Sequence, residues 1–433
     1  MNLRRIRIDN FGLLTQSERG KMERVLLDRP AVDQLRGSVQ SGLRRLRRTI
    51  PSLSEFFDAS DRLAARVDVA DEDAECLTKP LRIYYNIEPN CNLQCSFCGP
   101  RDLHGLGTKA GPEMEAFLLR QIADAGTFQV QLSGGEIFLR ARGLFRTLEL
   151  SRDLGLAVLL ATNGVWAHIK DRASFVRELA EFDHIVETKV SIDGTREFHD
   201  SVRGPGTYDE AVRTLFDLTQ QGFNTRVNTT IFRQSCTLDQ IEHVARLAKE
   251  AGAALQAIPE RSCGRSRGRT TYELPAPDGL RAYTIRAHEL REELGIPISF
   301  NFDIFGGGRQ LPVYDPARPF SCGAGLWGFA ITHLGEVYPC GFAIEAGSPA
   351  EFLVGVISPE TSLLELWLRS PVLRRWRYSG KSSECDACDH YRHTCWGGCM
   401  IQAYVTAGAL AAPDPYALCN IATGQKAAMA PHS

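Results

Sequence analysis

At 433 residues the chain exceeds one ordinary domain, so a catalytic core of about 200–250 residues with an appendage is expected, not a lone binding module. Its 43 % hydrophobic and 24 % charged residues describe a chain able to bury a core, which excludes the disordered and fibrous classes. Fifty Lys/Arg against 52 Asp/Glu leave a formal charge of −2, so no overall field recommends nucleic acid or an anionic membrane as a partner. The N-terminal stretch MNLRRIRIDN has no apolar segment of the secretory kind. The longest apolar run, Ile401 to Ala412, is interrupted by Gln402 and Gly408 and falls short of the roughly 18 residues a membrane helix requires. A cytoplasmic location without a membrane partner is expected.

In chain order, residues 1–80 read as a mostly helical extension. Residues 1–50 carry 12 Lys/Arg against 5 Asp/Glu, including the basic run Leu43-Arg44-Arg45-Leu46-Arg47-Arg48, whereas residues 51–80 carry 3 against 8. A solvated helix or a partner-docking arm both fit that charge split. From residue 81, apolar β-branched runs alternate with helical patterns. Strands are predicted at Arg82–Pro89, Phe128–Gly135, Ala157–Gly164, His184–Asp193, Thr225–Phe232 and Ala253–Glu260. Helices are predicted at Glu113–Ala125, Gly143–Leu154, Arg172–Glu181, Tyr208–Gln221 and Leu238–Ala251, several followed by a glycine in the terminating position: Gly126, Gly155, Gly222, Gly252. Strict alternation argues for a parallel α/β sheet curled into all or part of a barrel, with reactive groups at the C-terminal ends of the strands. An Arg-rich loop, Arg261–Arg269, closes this region and opens a bridging segment, 261–319. The remainder, 320–433, is rich in cysteine.

The cysteines carry the chemistry. Thirteen is a high, odd number for a chain expected in a reducing compartment, where thiols serve as metal ligands before they serve as disulfides. Cys91, Cys95 and Cys98 form one cluster directly after the first predicted barrel strand. Three thiolates within eight residues suit three corners of an iron–sulfur cubane, while a zinc site generally wants a fourth protein ligand. Cys322, Cys340, Cys385, Cys388, Cys395, Cys399 and Cys419 form a second group, and Cys76, Cys236 and Cys263 read as small buried hydrophobes.

Cys91-x3-Cys95-x2-Cys98, with Phe97 before the last cysteine, resembles the signature of the radical S-adenosylmethionine (SAM) enzymes. The resemblance extends over about residues 83–260 and implies a partial (β/α)6 barrel. It implies a [4Fe–4S] cluster on Cys91, Cys95 and Cys98, with SAM chelated at the iron that lacks a thiolate. Gly134-Gly135-Glu136 matches the family segment that meets the methionine amino group, with Ile137 in place of the usual proline. Thr162 and Asn163 end the third barrel strand. Ser191 and Arg203 match a SAM-binding serine and an arginine suited to gripping a carboxylate.

The second group resembles the SPASM extension, which carries two auxiliary [4Fe–4S] clusters, although six residues, not five, separate Cys388 from Cys395. Ile331–Val337 is the expected hairpin between its first ligands. By resemblance Cys322, Cys340 and Cys399 hold the nearer auxiliary cluster and Cys385, Cys388, Cys395 and Cys419 the farther one. The nearer cluster is then one thiolate short, its last position open to substrate, solvent or a side chain other than cysteine. The tail Gly397–Tyr404 and Ala412–Tyr416 most resembles the maturases of pyrroloquinoline quinone, mycofactocin and haem d1.

The resemblance implies an electron from a flavodoxin or ferredoxin, a 5′-deoxyadenosyl radical, hydrogen abstraction from an unactivated C–H, and a net oxidation of substrate through the auxiliary clusters. The expected substrate is a ribosomally made peptide or protein that gains a crosslink, loses carboxylate or becomes unsaturated. The alternative is a small molecule such as an aminocyclitol or tetrapyrrole. No strand-then-helix leader-recognition pattern is read in residues 1–80, and no substrate-side acid or base is assigned. Tyr84, Tyr85, Asn228, Arg233 and Phe329 read as packing residues.

Overall fold

The computed structural model describes residues 5–8, 13–18, 21–26, 66–69, 77–98, 110–260, 277–300, 323–346, 350–378, 383–387, 398–412 and 414. Of the N-terminal extension expected to be mostly helical, the structure describes residues 5–8, 13–18, 21–26, 66–69 and 77–80, and the rest lies outside the described residues. The first four of these stretches are strands: β1 (Arg5–Ile8), β2 (Leu13–Glu18), β3 (Lys21–Leu26) and β4 (Arg66–Val69) form one sheet in the order β3-β2-β1-β4. β1 is antiparallel to β2 and parallel to β4. Two signals account for this. Arg5-Ile6-Arg7-Ile8 alternates with a period of two, and β2 runs antiparallel to β3 with Glu18 opposite Lys21, only three positions on in the sequence. Counted only as charge, the arginines conceal that period. The basic run 43–48 lies outside the described residues.

A second sheet of ten strands carries the core. The strands β5 (Arg82–Glu88), β6 (Gln129–Gly134), β7 (Ala157–Thr162), β8 (Ile185–Ser191), β9 (Thr225–Ile231), β10 (Ala254–Pro259) and β11 (Ile298–Phe300) lie side by side in sequence order, all parallel. The helices Pro112–Asp124, Arg142–Asp153, Arg172–Ala180, Thr207–Gln220 and Leu238–Ala251 fall where the periodicity puts them. All four helix-ending glycines, Gly126, Gly155, Gly222 and Gly252, have positive φ, as a left-handed terminator requires. Alternate strand residues such as Ile83, Tyr85, Val130, Leu132, Leu160, Val190, Val227 and Leu255 point to the helices and build one continuous apolar core.

The bridging segment contains more order than its composition suggests. The helix Pro277–Leu294 packs on Leu238–Ala251, and β11 extends the sheet, making a seventh strand of the parallel array.

On the opposite edge the expected hairpin is present as β12 (Gly328–Thr332) and β13 (Glu336–Tyr338), continued by β14 (Gly355–Val356). β12 pairs in parallel with β5, so the first strand of the cysteine-rich region is stitched to the first strand of the barrel. Gly328 permits this seam, since a Cβ there would lie 1.7 Å from the Arg82 carbonyl oxygen. A smaller apolar cluster, with Ala330, Tyr338, Ile344, Phe352, Trp376, Met400 and Ile401, fills the space beyond, and Cys340 and Cys399 both border it. No helix among the described residues is long and apolar enough to cross a membrane.

Candidate active site

The loop leaving β5 carries Cys91, Cys95 and Cys98, each outside any disulfide, with Cys95 buried and the other two partly so. It is clamped from below by the end of β6. The Gly135 N–H donates to the Glu88 carbonyl at 2.6 Å and the Glu136 N–H to the Asn90 carbonyl at 2.8 Å. A Cβ on Gly135 would meet the Asn90 carbonyl oxygen at 2.0 Å, so the two main chains cross there in contact. The paired glycines therefore admit the cysteine loop itself.

Glu136 has three hydrogen-bond donors within the protein. Its side chain has no exposure, and its carboxylate accepts from Thr162 Oγ1 at 2.9 Å, the Phe138 N–H at 3.0 Å and the Asn163 N–H at 2.7 Å. Burial pushes its pKa up to about 7, against the pull of those donors and of Arg203. Glu136 thus locks the end of β7 to the end of β6.

From that lock Asn163 reaches the cysteine loop. Its Nδ2 donates to Asn92 Oδ1 at 2.9 Å and faces Cys91 Sγ at 3.6 Å, and the Leu93 N–H also points to this sulfur at 3.4 Å. Burial pushes the Cys91 thiol up, while the Leu93 N–H and the Asn163 amide draw it down. Such N–H···S bonds stabilise a ligating thiolate and set the potential of the metal it holds.

The other side of the loop meets Arg203, which ends the helix Arg196–Arg203. Its guanidinium lies 5.2 Å above the Phe97 ring and donates through Nε to Asp193 Oδ2 at 2.6 Å, with Asp193 fully buried. Burial opposes the arginine's charge, but Asp193 and the thiols of Cys95 and Cys98 outweigh it and hold the guanidinium firmly charged. With Nε committed to Asp193, any grip on a ligand carboxylate falls to the two Nη groups.

Asp193 also accepts the Thr230 N–H at 2.7 Å, and its own N–H donates to His199 Nδ1 at 3.1 Å. Burial lowers the His199 pKa to about 4, so this ring is neutral at pH 7. Ser191 ends β8 opposite Asn228, and its hydroxyl has no hydrogen-bond partner among the described residues.

The structure thus gathers the first cysteine trio, Gly134–Glu136, Thr162, Asn163, Ser191 and Arg203 at the C-terminal ends of β5 to β8. Sequence reasoning missed Asn92 and the role of Asp193. Asp193 stood next to Ser191 in a matched segment, and a buried acid ten residues before a matched arginine was the available signal. Of the second cysteine group, Cys340 and Cys399 immediately precede the helices Gly341–Glu345 and Met400–Ala407, and Cys385 lies in the helix Ser383–Asp386. The Cys399 N–H donates to buried Asp414 Oδ2 at 2.5 Å. Cys322, Cys388, Cys395 and Cys419 lie outside the described residues.

No three His, Cys, Asp or Glu side chains among the described residues converge on a single ion. A cubane asks for something else, since each thiolate binds a different iron. Three thiols outside any disulfide, two N–H donors on one of them and a fixed arginine charge beside the other two fit a cluster of that kind.

Parallel strands in sequence order, with thiols collected at their C-terminal ends, define a cluster-binding α/β barrel enzyme. Residues 85–252 match the model of the Radical SAM superfamily. The chain is 27 % identical over 358 residues to mycofactocin maturase MftC of Mycolicibacterium smegmatis, covering 78 % of this chain and 83 % of that protein. It is 25 % identical over 385 residues to an AdoMet-dependent heme synthase of Oleidesulfovibrio alaskensis, covering 80 % and 88 %. To a PqqA peptide cyclase of Bradyrhizobium diazoefficiens it is 27 % identical over 357 residues, covering 79 % and 87 %. The fold is shared with Streptococcus suis SuiB bound to precursor peptide SuiA, at a TM-score of 0.71 and 16 % identity over 97 % of this chain and all of that one.

Proposed function

We infer that this chain is a radical SAM maturase of the SPASM type that oxidatively modifies a ribosomally made peptide. The carrying observation is the trio of thiols braced between Asn163 and Arg203 at the strand ends, in a chain similar to a maturase and a peptide cyclase over nearly four fifths of its length. Cys91, Cys95 and Cys98 would hold the [4Fe–4S] cluster, and Gly134–Glu136, Thr162, Asn163, Ser191 and Arg203 would surround SAM. When bound, that pair supplies a 5′-deoxyadenosyl radical able to take hydrogen from an unactivated C–H.

The chain's own residues do the arranging. Asn163 and the Leu93 N–H stabilise negative charge on Cys91. Asp193 fixes Arg203 so that its charge offsets the thiolates of Cys95 and Cys98 without reorganising. Glu136 ties β6 to β7 and thereby holds Asn163 at the sulfur. The Ser191 hydroxyl supplies a further donor and acceptor at the same level. Cys322, Cys340 and Cys399 would hold the nearer auxiliary cluster and Cys385, Cys388, Cys395 and Cys419 the farther, which would carry away the electron left on an oxidised substrate. A flavodoxin or ferredoxin in the cytoplasm would supply the priming electron.

Residues 1–80 are assigned to peptide docking. Their sheet has two edges, β3 and β4, and a sheet edge accepts an extended chain through main-chain hydrogen bonds. The test is anaerobic incubation of the reconstituted protein with SAM, dithionite and the short peptide encoded beside its gene. A SAM-dependent loss of hydrogen or of carbon dioxide from the peptide mass is expected. An unchanged peptide with a mass change in a tetrapyrrole or aminocyclitol would replace this reading with the small-molecule one.

A further inference from the structure

The inward face of the parallel sheet carries charge that the cofactor site does not use. On β8, Thr188 and Val190 are buried towards the helices, so Glu187, Lys189 and Ser191 share the opposite face. Lys189 pairs with Arg226 on β9, and Ser191 with Asn228 two residues further along. The pair Lys189 and Arg226 therefore lies one side-chain layer, about 7 Å, beneath Ser191.

Lys189 Nζ donates to Gln131 Oε1 at 3.2 Å and lies 3.4 Å from Glu187 Oε1. Arg226 donates through Nη2 to Glu187 Oε2 at 3.0 Å and through Nη1 to Ser299 Oγ at 3.0 Å. Two cations thus share one carboxylate, leaving a net positive charge in a place where the Lys189 and Glu187 side chains are only 13 % and 15 % exposed. Donors are left over as well. An ammonium has three protons, and two of those on Lys189 are accounted for. Arg226 Nε is buried with no acceptor among the described residues. An enclosed cation with spare donors is unfavourable until an anion arrives, and a carboxylate supplies both the missing charge and the missing acceptors.

We propose that Lys189 and Arg226, with Gln131, form a carboxylate-binding subsite on the inward face of the barrel that anchors an acidic group of the substrate below the cofactor-holding strand ends. The subsite rests on the reading of the substrate as a peptide, and it names the feature that peptide carries: an Asp or Glu side chain, or a free C terminus. Lys189 and Arg226 are then specificity-determining residues that hold the substrate beneath Ser191. The reading as a purely structural ion network predicts no preference among ligands.

The experiment is affinity selection on the cluster-loaded full chain with SAM present, using mixed hexapeptide libraries with acetylated N termini, read by mass spectrometry. One library has amidated C termini and one has free acids; glutarate binding is measured in parallel. Peptides with Asp or Glu in the amidated library, or any free-acid peptide over its amide, should be enriched about tenfold over Asn or Gln counterparts, the size expected for a charge-assisted hydrogen bond. The library that shows the enrichment identifies the source of the carboxylate. Lys189→Met should abolish the preference and Lys189→Arg should keep it, with iron content as the check on folding. If Lys189→Met does not fold, Arg226→Gln and the acid-to-amide contrast on the native chain decide.

Enrichment of neutral peptides alone, or a preference that survives Lys189→Met, overturns the subsite and leaves the peptide reading standing. Glutarate binding that depends on Lys189, with no peptide enriched, overturns the peptide reading and leaves the subsite. Binding of neither overturns both.

Discussion

Arg203 and Asp193 are the pair on which the site's electrostatics turn, because each is buried and each is the other's compensation. Arg203→Met leaves the Asp193 carboxylate enclosed and unpaired, and loss of one partner of a buried pair costs about 3–5 kcal/mol. Denaturant unfolding of the variant should show a loss of that order, and Asp193→Asn a comparable one. A second prediction concerns His184, whose pKa burial lowers to about 4 from an ordinary 6.5. As pH falls below 6.5 the unfolded chain takes up a proton that the folded one refuses, so stability drops through that window. The melting temperature of the native chain should fall between pH 6.5 and pH 5 by more than that of His184→Gln. Glu136 pulls the other way in the same range, since its raised pKa makes the folded state the better proton acceptor between about pH 4.5 and 7, so the comparison must be made against the native chain. At this scale the cysteine trio and Arg203 were legible because their spacing is itself the chemistry. Asp193 and Asn92 were not, because each acts through hydrogen bonds that only the folded chain makes, Asp193 with Arg203 and Thr230 and Asn92 with Asn163 and Val165.

Between elements, two glycines set the fit of whole segments. Gly135→Ala forces the end of β6 away from the cysteine loop, and overpacking of this kind costs about 1–3 kcal/mol. It should also lower the iron retained at the first site, measured by iron content and by the spectrum of the reduced protein. Gly328→Ala strikes instead at the seam between β12 and β5, and should expose the cysteine-rich region to limited proteolysis while the barrel strands stay protected. The first six parallel strands and the five helices predicted between them were readable because strand and helix periods alternate cleanly there. The pairing of β12 with β5 was not, since a parallel contact across about 240 residues leaves no local trace beyond one glycine. Residues 1–26 show the opposite failure. The Arg5-Ile6-Arg7-Ile8 alternation is a local signal for a strand, but the arginines that carry it also carry the charge.

Across the molecule labour is divided among an N-terminal sheet, a parallel barrel whose strand ends gather the thiols, and a cysteine-rich region joined to the barrel's first strand. Deleting residues 1–75 should weaken peptide binding while leaving adenosyl cleavage in the absence of peptide unchanged, as read by peptide titration and by 5′-deoxyadenosine formation. Full reconstitution should load about 12 iron atoms per chain, a third of which disappear when Cys91, Cys95 and Cys98 are replaced. The central claim is that these three thiols, braced by Asn163 and Arg203, hold the cluster that cleaves SAM. The direct measurement is 5′-deoxyadenosine formed by the anaerobically reconstituted protein with SAM and dithionite, for the native chain and for the Cys91→Ala, Cys95→Ala, Cys98→Ala triple variant. The account predicts steady formation by the native chain and none by the variant, whose auxiliary iron remains. Equal formation by both, or a native chain that purifies with zinc in place of iron, would contradict it.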